Sequence, residues 1–86
     1  MLSVVYKPGF LRSWKKLPSA LQDEVLEKIE LFKDPRNHQH LRVHKLHGPL
    51  AGSYSFSVNY QWRVVFEWLS KREAVLLAVG DHDVYR

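Results

Sequence analysis

Apolar side chains in the first third of the chain recur at the spacing of an α-helix. A first stripe consists of Phe10, Trp14 and Leu17, at steps of four and three residues. A second stripe at similar spacing consists of Leu21, Val25, Ile29 and Phe32. Because residues three and four apart share one helix face, the two stripes predict two amphipathic helices. Pro18 separates them, so we expect a helical hairpin with almost no loop.

Short signals mark the ends of these helices. Residues 2–6 (LSVVY) predict a strand, after which Pro8 is a favourable first residue for a helix. Ser19 and Gln22 have the spacing of a capping box, in which each side chain bonds a free backbone N–H of the other residue. The Asp-Pro pair at 34–35 predicts the end of the second helix.

From residue 41 onward the apolar period changes to two, which is typical of β-strands. Residues 41–46 alternate weakly and predict a short strand. Residues 53–60 alternate cleanly between small polar and larger apolar side chains, so we expect one buried face and one solvated face. The alternation continues at 62–68 after a predicted turn at 59–61. The continuous apolar run 74–79 predicts a central strand covered on both faces.

The predicted element order is strand, helix, helix and then four strands. The expected fold class is α+β: an N-terminal strand, a helical hairpin, and an antiparallel sheet of about four strands that packs on the hairpin. The chain has 86 residues, so we expect a single domain over residues 1–86. No apolar run approaches the ~20 residues of a membrane span. With no cysteine in the chain, these features favour a cytoplasmic protein that does not contact membranes.

Charge is distributed unevenly along the chain. Thirteen Lys and Arg residues against nine Asp and Glu give a formal net charge of +4. Residues 35–66 contain no acidic side chain, yet they hold Arg36, Arg42, Lys45 and Arg63 together with four of the five histidines. Such a stretch is typical of a surface that contacts a polyanion, and nucleic acid is the first candidate. The alternative is a basic surface that only keeps the protein soluble.

Most common catalytic arrangements are missing from the sequence. Four clustered histidines, His38, His40, His44 and His47, lack the spacing and the nearby carboxylates that a metal site needs, so no metal is expected. None of the serines lies in a Gly-x-Ser-x-Gly elbow, and no Gly-Lys-Ser/Thr phosphate loop occurs. These absences argue against a serine hydrolase and a nucleotide-dependent enzyme, and we expect no cofactor.

The basic residues, histidines and tyrosines do suit one reaction, the cleavage of RNA by its own 2′-hydroxyl. That reaction needs a base for the 2′-hydroxyl proton, an acid for the 5′-oxygen leaving group, and cations around the phosphate. Histidine can serve as base or acid near neutral pH, while arginine binds phosphate oxygens with a two-pronged guanidinium. Tyr54 or Tyr85 would stack on a base or supply a proton. DNA lacks the 2′-hydroxyl, so this chemistry predicts an RNA substrate.

Three segments resemble motifs of the RelE/ParE superfamily of type II toxins. Residues 44–58 (HKLHGPLAGSYSFSV) are similar to its L-x-G-x-x-S-x-x-V stretch, and residues 60–66 (YQWRVVF) to its Y-R-I-x-Y/F strand. Residues 79–86 (VGDHDVYR) resemble the x-G-x-H-x-x-x-Y ending of the RelE and YafQ-like branch. The resemblance implies a ribosome-dependent, metal-independent endonuclease that cleaves messenger RNA in the ribosomal A site. It also implies a cognate antitoxin that binds the toxin in a hetero-oligomer.

The resemblance implies roles for individual residues as well. Arg63 would bind the scissile phosphate, and His82 would be the general acid. His47, which precedes a Pro-Leu-x-Gly segment, would be a base or a phosphate ligand, and Tyr85 is similar to the C-terminal tyrosine of RelE. The remaining residues expected to bind RNA are basic: Arg42, Lys45 and Arg86. The alternative for His82 is a surface ion-pair cluster with the aspartates on either side of it.

Two departures from the family pattern leave alternatives open. The histidine and aspartate that YafQ-like toxins carry on the middle strand have no counterpart in residues 56–60, and no glutamate base occurs in the acid-free stretch. The general base therefore stays open among His44, His47 and Lys45. The main alternative function is that of a ParE-like toxin, which inhibits DNA gyrase by binding and lacks a nuclease centre. A third is an inactive antitoxin partner that acts only in transcriptional autoregulation.

Overall fold

The computed structural model describes residues 1–81. Three predicted site residues, His82, Tyr85 and Arg86, lie outside this described part. Within residues 1–81 the chain forms two α-helices and five β-strands. In chain order they are β1 (Ser3–Tyr6), α1 (Pro8–Lys15), α2 (Ser19–Phe32), β2 (His44–Lys45), β3 (Tyr54–Ser57), β4 (Arg63–Ser70) and β5 (Glu73–Gly80). Short 3-10 helices at Pro35–Asn37 and Gly48–Leu50 precede and follow β2.

The five strands join one sheet in the order β1-β5-β4-β3-β2. β1 runs parallel to β5, and the other three neighbouring pairs are antiparallel. The predicted α+β class is confirmed, and the N-terminal strand joins the same sheet beside the last strand. Its parallel pairing is possible because the chain crosses over through the helices before the sheet continues. The apolar run at 74–79 lies in β5, between β1 and β4, as predicted for a central strand.

The helices pack on one face of the sheet, which we call the core face. The stripe of α2 contributes Val25, Ile29 and Phe32, and all three are buried. Phe32 stacks on Phe56 of β3 with ring centroids 4.5 Å apart, and it meets Phe66 of β4 edge-on at 4.8 Å. Such aromatic pairs add to the stabilisation that apolar burial alone supplies. The helical period therefore correctly predicts which side of α2 is buried.

The opposite face of the sheet, which we call the polar face, differs from the solvated surface that the sequence predicts. Cross-strand register puts Ser57 of β3 beside Arg63 of β4 on this face, with Ser55 two residues away on the same side. Ser53 and Ser55 are nevertheless buried, at 6% and 0% exposure, so the prediction of a solvated serine face is wrong for these two. Serine tolerates burial because one partner satisfies its hydroxyl: Ser53 donates to the Glu67 carboxylate at 3.3 Å.

Residues 41–46 form less β-structure than their alternation predicts. Only His44 and Lys45 pair with β3. The extended chain is interrupted at Arg42, whose φ of 58° lies in the left-handed region. Leu41 on the other side of this break is buried in the core. The short β2 is therefore an edge strand that begins directly after a sharp backbone turn.

Side chains of the two helices close the hairpin in a way that the sequence does not predict. α2 begins at Ser19 after Pro18, and no side chain caps its first turn, so the expected capping box is absent. The Gln22 side-chain amide instead donates to the Trp14 carbonyl at 3.0 Å, and the Trp14 indole N–H donates to the Gln22 carbonyl at 3.2 Å. This reciprocal pair of hydrogen bonds joins α1 to α2.

No helix formed by residues 1–81 has the length and apolarity of a membrane span.

Candidate functional site

Two arginines of the acid-free stretch line one cleft at the edge of the polar face. The cleft has a volume of about 360 Å³ and is bounded by Arg42, Ser57, Asn59, Tyr60 and Arg63. Ser57 ends β3 and Arg63 begins β4, so the cleft lies where these two strands approach their connecting turn. We call this set of five residues the arginine cleft. It joins two residues that the sequence predicts to bind RNA, Arg42 and Arg63.

Arg42 reaches the cleft through a strained backbone. The Ser57 N–H donates to the Leu41 carbonyl at 2.8 Å, which holds the chain before Arg42 against the end of β3. The φ of 58° at Arg42 then redirects the chain into β2. For a residue with a Cβ this conformation costs about 1–2 kcal/mol. Non-glycine residues in this conformation are uncommon and cluster at functional sites, so Arg42 is a candidate functional residue.

Arg63 is held in place by the turn between β3 and β4. Its Nη1 donates to the Asn59 carbonyl at 2.8 Å and to the Trp62 carbonyl at 3.3 Å. The Asn59 side chain organises that turn: its Oδ1 accepts from the N–H groups of Gln61 and Trp62, both at 2.9 Å. Its Nδ2 donates to Glu24 of α2 at 2.7 Å. The helix thus fixes the turn, and the turn orients the guanidinium.

The two cleft arginines lack an acidic partner within residues 1–81. The ion pairs of this part of the chain join Lys33 to Glu30 and Arg36 to Asp34. Hydrogen bonds from the Arg36 side chain and N–H lower the pKa of Asp34 to about 2. Arg36 belongs to the acid-free stretch, but its charge is engaged locally. Among residues 1–81 the cleft is therefore a concentration of positive charge without an acidic partner, which favours an anion such as a phosphate.

His44 lies on the same face of the sheet as the cleft. It is the cross-strand partner of Ser55, and directly opposed residues of an antiparallel pair project to the same side. Its Nδ1 is 2.8 Å from the Arg42 carbonyl. Because a carbonyl can only accept, Nδ1 donates in this contact, and Nε2 is the ring nitrogen that the contact leaves unused. The exposed His44 ring therefore lies on the same face of the sheet as the arginine cleft.

The other two candidates for the general base lie elsewhere. Lys45 is paired with Tyr54, whose ring stacks on Phe66 at 5.7 Å, so Lys45 projects from the edge toward the core face. His47 follows Leu46, whose N–H donates to the Ser53 carbonyl. His47 therefore lies near Ser53, at the opposite end of β3 from Ser57. Ser53 and Ser57 are about 13 Å apart along the strand. The structure brings neither residue to the arginine cleft, and it places Tyr54 against the core.

Tyr60, Asn59 and Ser57 line the cleft although no sequence pattern singles them out as functional. Tyr60 is 92% exposed at the turn, whereas the alternation of 53–60 predicts it on the buried face. An aromatic residue within a predicted turn, three positions before Arg63, is a signal that could have found it, because loops carry recognition and exposed rings bind bases. Ser57 and Asn59 carry no such signal, since their role depends on the register between β3 and β4.

Comparison with known proteins identifies the family. A family model described as the RelE-like toxin of the type II toxin-antitoxin system HigB matches residues 8–82. The chain belongs to this family. The match spans both helices and strands β2 to β5, and the predicted membership of the RelE/ParE superfamily is confirmed. A search of curated proteins finds no match.

Solved structures share the fold of this toxin over nearly its whole length. It is similar to the RelBE2 toxin-antitoxin complex of Mycobacterium tuberculosis, with a TM-score of 0.75 and 21% identity over 94% of this chain and 91% of that chain. YafQ of E. coli gives a TM-score of 0.71 and 14% identity over 98% and 97%. The YoeB-YefM complex of Staphylococcus aureus gives 0.70 and 16% over 95% and 98%. At these identities the likeness shows the fold alone.

The toxin therefore combines the family fold with a cationic cleft at the edge of the polar face. Within residues 1–81, no three His, Asp or Glu side chains lie close enough to share a metal ion. The described cleft brings together two cationic residues, Arg42 and Arg63, and the exposed ring of Tyr60, while His44 lies on the same face of the sheet. The predicted residues His82, Tyr85 and Arg86 lie beyond residue 81.

Proposed function

We propose that this toxin is an endoribonuclease that cleaves messenger RNA on the ribosome through attack of the RNA 2′-hydroxyl, without a metal or cofactor. The observation that carries the proposal is the arginine cleft, in which Arg42 and Arg63 have no acidic partner among residues 1–81. A phosphodiester supplies the negative charge that this cleft lacks. A substrate on the ribosome also assigns the toxin to the cytoplasm.

Arg63 and Arg42 are the proposed phosphate ligands. The transition state of this cleavage concentrates charge on the non-bridging phosphate oxygens, and fixed cations stabilise it more than they stabilise the ground state. Arg63 suits this role because carbonyl contacts at Nη1 restrain its guanidinium before RNA binds. Arg42 approaches from β2, on the other side of β3, so the phosphate would be held from two directions.

His44 is the proposed general base. Its Nδ1 contact with the Arg42 carbonyl leaves Nε2 as the basic atom. The 2′-hydroxyl proton would pass to Nε2 while the 2′-oxygen attacks phosphorus and the 5′-oxygen leaves. The products are a 2′,3′-cyclic phosphate and a 5′-hydroxyl end. His47 and Lys45 remain the alternative bases, and His82 is the proposed acid for the leaving oxygen.

Base recognition is proposed for the tyrosines and the remaining cations. Tyr60 at the mouth of the cleft would stack on a nucleotide next to the scissile phosphate, as aromatic side chains do in single-stranded RNA complexes. Tyr85 is proposed to act as a second stacking or proton-donating group. Lys45 and Arg86 are proposed to contact RNA phosphates outside the reacting centre. The small number of acid–base groups is consistent with a substrate positioned by the ribosome.

A cognate antitoxin is the proposed protein partner. The similar RelBE2 and YoeB-YefM structures are complexes of a toxin with its antitoxin. A net charge of +4 suits an antitoxin with an acidic segment that covers cationic surface in a hetero-oligomer. Pull-down from the native host is expected to recover a small acidic protein. Recovery of no such protein would contradict this partner.

The test of the proposed function is induced expression without antitoxin, followed by primer extension on two messages. One message is translated, and the other is identical except for a destroyed start codon. We expect cleavage in the translated message only, and none with Arg63→Ala expressed at the same level. Growth arrest with intact messenger RNA and a loss of DNA supercoiling would contradict the proposal in favour of gyrase inhibition. No toxicity at all would favour the inactive, autoregulatory reading.

A further inference from the structure

A second basic groove lies on the other side of the β3–β4 turn, between α1 and the sheet. It has a volume of about 420 Å³. Its walls carry two cations of the α1 region, Arg12 and Lys16, and the half-buried side chain of Trp62. Ser13 and Val79 also line it. We call it the α1 groove, and none of the roles predicted above uses it.

Hydrogen bonds of Ser13 join α1 to β5 at the floor of the α1 groove. The Ser13 hydroxyl donates to the Phe10 carbonyl at 3.0 Å and accepts from the Val79 N–H at 3.1 Å, which docks α1 on the edge of β5. Gly9 allows this approach, since a Cβ there would meet the Leu77 carbonyl at 3.2 Å. β1 pairs with β5 as far as Leu76, and beyond that point Ser13 of α1 accepts a hydrogen bond from the edge of β5. The groove is a built feature of the fold, present before any ligand binds.

Of the described residues that line the α1 groove, the charged ones, Arg12 and Lys16, are both cations. The first acidic residue of the chain is Asp23, so the whole of α1 and its approach carry only positive side chains. Neither Arg12 nor Lys16 takes part in an ion pair within residues 1–81. Two cations beside an aromatic side chain match the recognition of single-stranded nucleic acid, in which cations hold phosphates and a ring stacks on a base.

The α1 groove and the arginine cleft are neighbours. Trp62 directly precedes Arg63, the first residue of β4. Trp62 packs against the core, whereas Arg63 lines the arginine cleft at the edge of the polar face. Between them lies the 59–61 turn, with Tyr60 exposed at its tip. A polynucleotide held at Arg63 would therefore meet Trp62 once it crosses the turn.

We propose that the α1 groove is a second binding site for single-stranded RNA, with phosphates on Arg12 and Lys16 and a base stacked on Trp62. The inference rests on the proposed function in that the ligand is RNA, but it concerns binding and not cleavage. The RNA comes from one of two sources with the same chemistry: the message strand that continues from the arginine cleft, or ribosomal RNA at the site of docking.

The test measures binding of the full-length toxin to a non-cleavable 2′-O-methyl RNA octamer and, separately, to purified ribosomes. The variant is Arg12→Gln/Lys16→Gln, and the matched control is Lys71→Gln/Arg72→Gln, which removes two exposed charges at the opposite end of β4. We expect the first variant to bind at least tenfold more weakly and the control less than twofold. The salt dependence of octamer binding should also fall by about 1.4 in log–log slope, for two lost phosphate contacts.

The two arms distinguish the sources of RNA. Weaker binding to the octamer identifies the message strand, and weaker binding to ribosomes alone identifies ribosomal RNA. Unchanged affinity in both arms overturns the inference. If only antitoxin binding weakens, the groove is a protein site and the inference is likewise wrong.

Two further variants guard against a folding artefact. Lys16→Glu changes one exposed residue after α1 and should weaken RNA binding further than Lys16→Gln. Trp62→Phe keeps an aromatic ring and should remove the tryptophan fluorescence quenching that RNA causes. Thermal unfolding of each variant checks the fold. Failure of the proposed function can be distinguished from failure of this inference. The proposed function is tested by RNA cleavage with Arg63→Ala, whereas the α1 groove is tested by RNA binding, which does not require turnover.

Discussion

The two faces of the sheet are built from the same strands but from different chemistry. On the core face, Phe56 of β3 and Phe66 of β4 pack with Phe32 of α2 in a buried aromatic cluster. On the polar face, the same two strands carry Ser57 and Arg63 beside each other. Because side chains alternate along a strand, every strand contributes to both faces. Stability and chemistry are therefore separable, and substitutions on one face should spare the property of the other.

The largest effect is expected from the core face. Phe32→Ala removes a ring that contacts several aromatic neighbours, so the free energy of unfolding should fall by about 3–5 kcal/mol. Leu69→Ala is the control, since Leu69 is 55% exposed and its loss should cost less than about 0.5 kcal/mol. Urea unfolding measures both. Equal costs would mean that the aromatic cluster does not hold the fold.

Substitution of Arg63 should lower activity and leave the stability of the fold nearly unchanged. Arg63→Ala is expected to reduce the rate of RNA cleavage by about a hundredfold or more, since it removes a fixed cation from the transition state. Arg63→Lys should recover only part of the rate, because a lysine keeps the charge but loses the two-pronged geometry. Arg72→Ala, an exposed arginine in the β4–β5 turn, serves as the control. Destabilisation as large as that of Phe32→Ala would break the separation of the two faces.

His44 tests which group on the polar face accepts the proton. His44→Gln keeps a polar side chain without a titrating nitrogen, and cleavage should slow by about a hundredfold. His40→Gln, in the preceding exposed loop, is the matched control and should leave the rate unchanged. If His44→Gln is as active as the wild type and His47→Gln is not, the base lies at the other end of β3.

Asn59 connects the two faces, because its side chain links Glu24 of α2 to the turn that orients Arg63. Asn59→Ala is expected to slow cleavage by about tenfold through a misplaced guanidinium. In an Arg63→Ala background the same substitution should have no further effect, which a double-mutant cycle measures. Additive losses in that cycle would show that Asn59 acts independently of Arg63.

The smallest effect is expected from Asp34, on the loop after α2. Its pKa of about 2 lies below the usual 3.8, because Arg36 donates hydrogen bonds to the carboxylate. The carboxylate therefore stabilises the folded state above about pH 4, and this contribution is lost as the pH falls through about 2. Urea unfolding followed by circular dichroism at a series of pH values measures the free energy of unfolding. That free energy should be higher for wild type than for Asp34→Asn near neutral pH, and the two values should converge toward pH 2. Parallel curves over the whole range would contradict the linkage.

Sequence periodicity predicts the core face well. The residues Val25, Ile29 and Phe32 recur at helical spacing and are buried, and the alternation at 62–68 predicts a strand that the structure contains as β4. These patterns succeed because burial on that face follows from apolar character alone.

The polar face was harder to predict. Burial of Ser55 depends on what surrounds the strand and not on the serine itself. The left-handed backbone of Arg42 has no signal in a non-glycine residue, yet it redirects the chain at the point where Arg42 joins Arg63 in lining one cleft. The sequence predicts both arginines and His44 as candidates. The exposure of Tyr60 follows from the geometry of the turn, which the alternation of the strand does not predict.

The most direct test of the central claim uses the substrate and leaves the protein unchanged. Primer extension locates the scissile nucleotide, and a message is then prepared with a single 2′-deoxy sugar at that nucleotide. We expect the wild-type toxin to cleave the all-ribose message on ribosomes, to leave a 2′,3′-cyclic phosphate, and to leave the 2′-deoxy message intact. Cleavage of the 2′-deoxy message at the same bond would contradict attack by the 2′-hydroxyl, and with it the role assigned to the polar face.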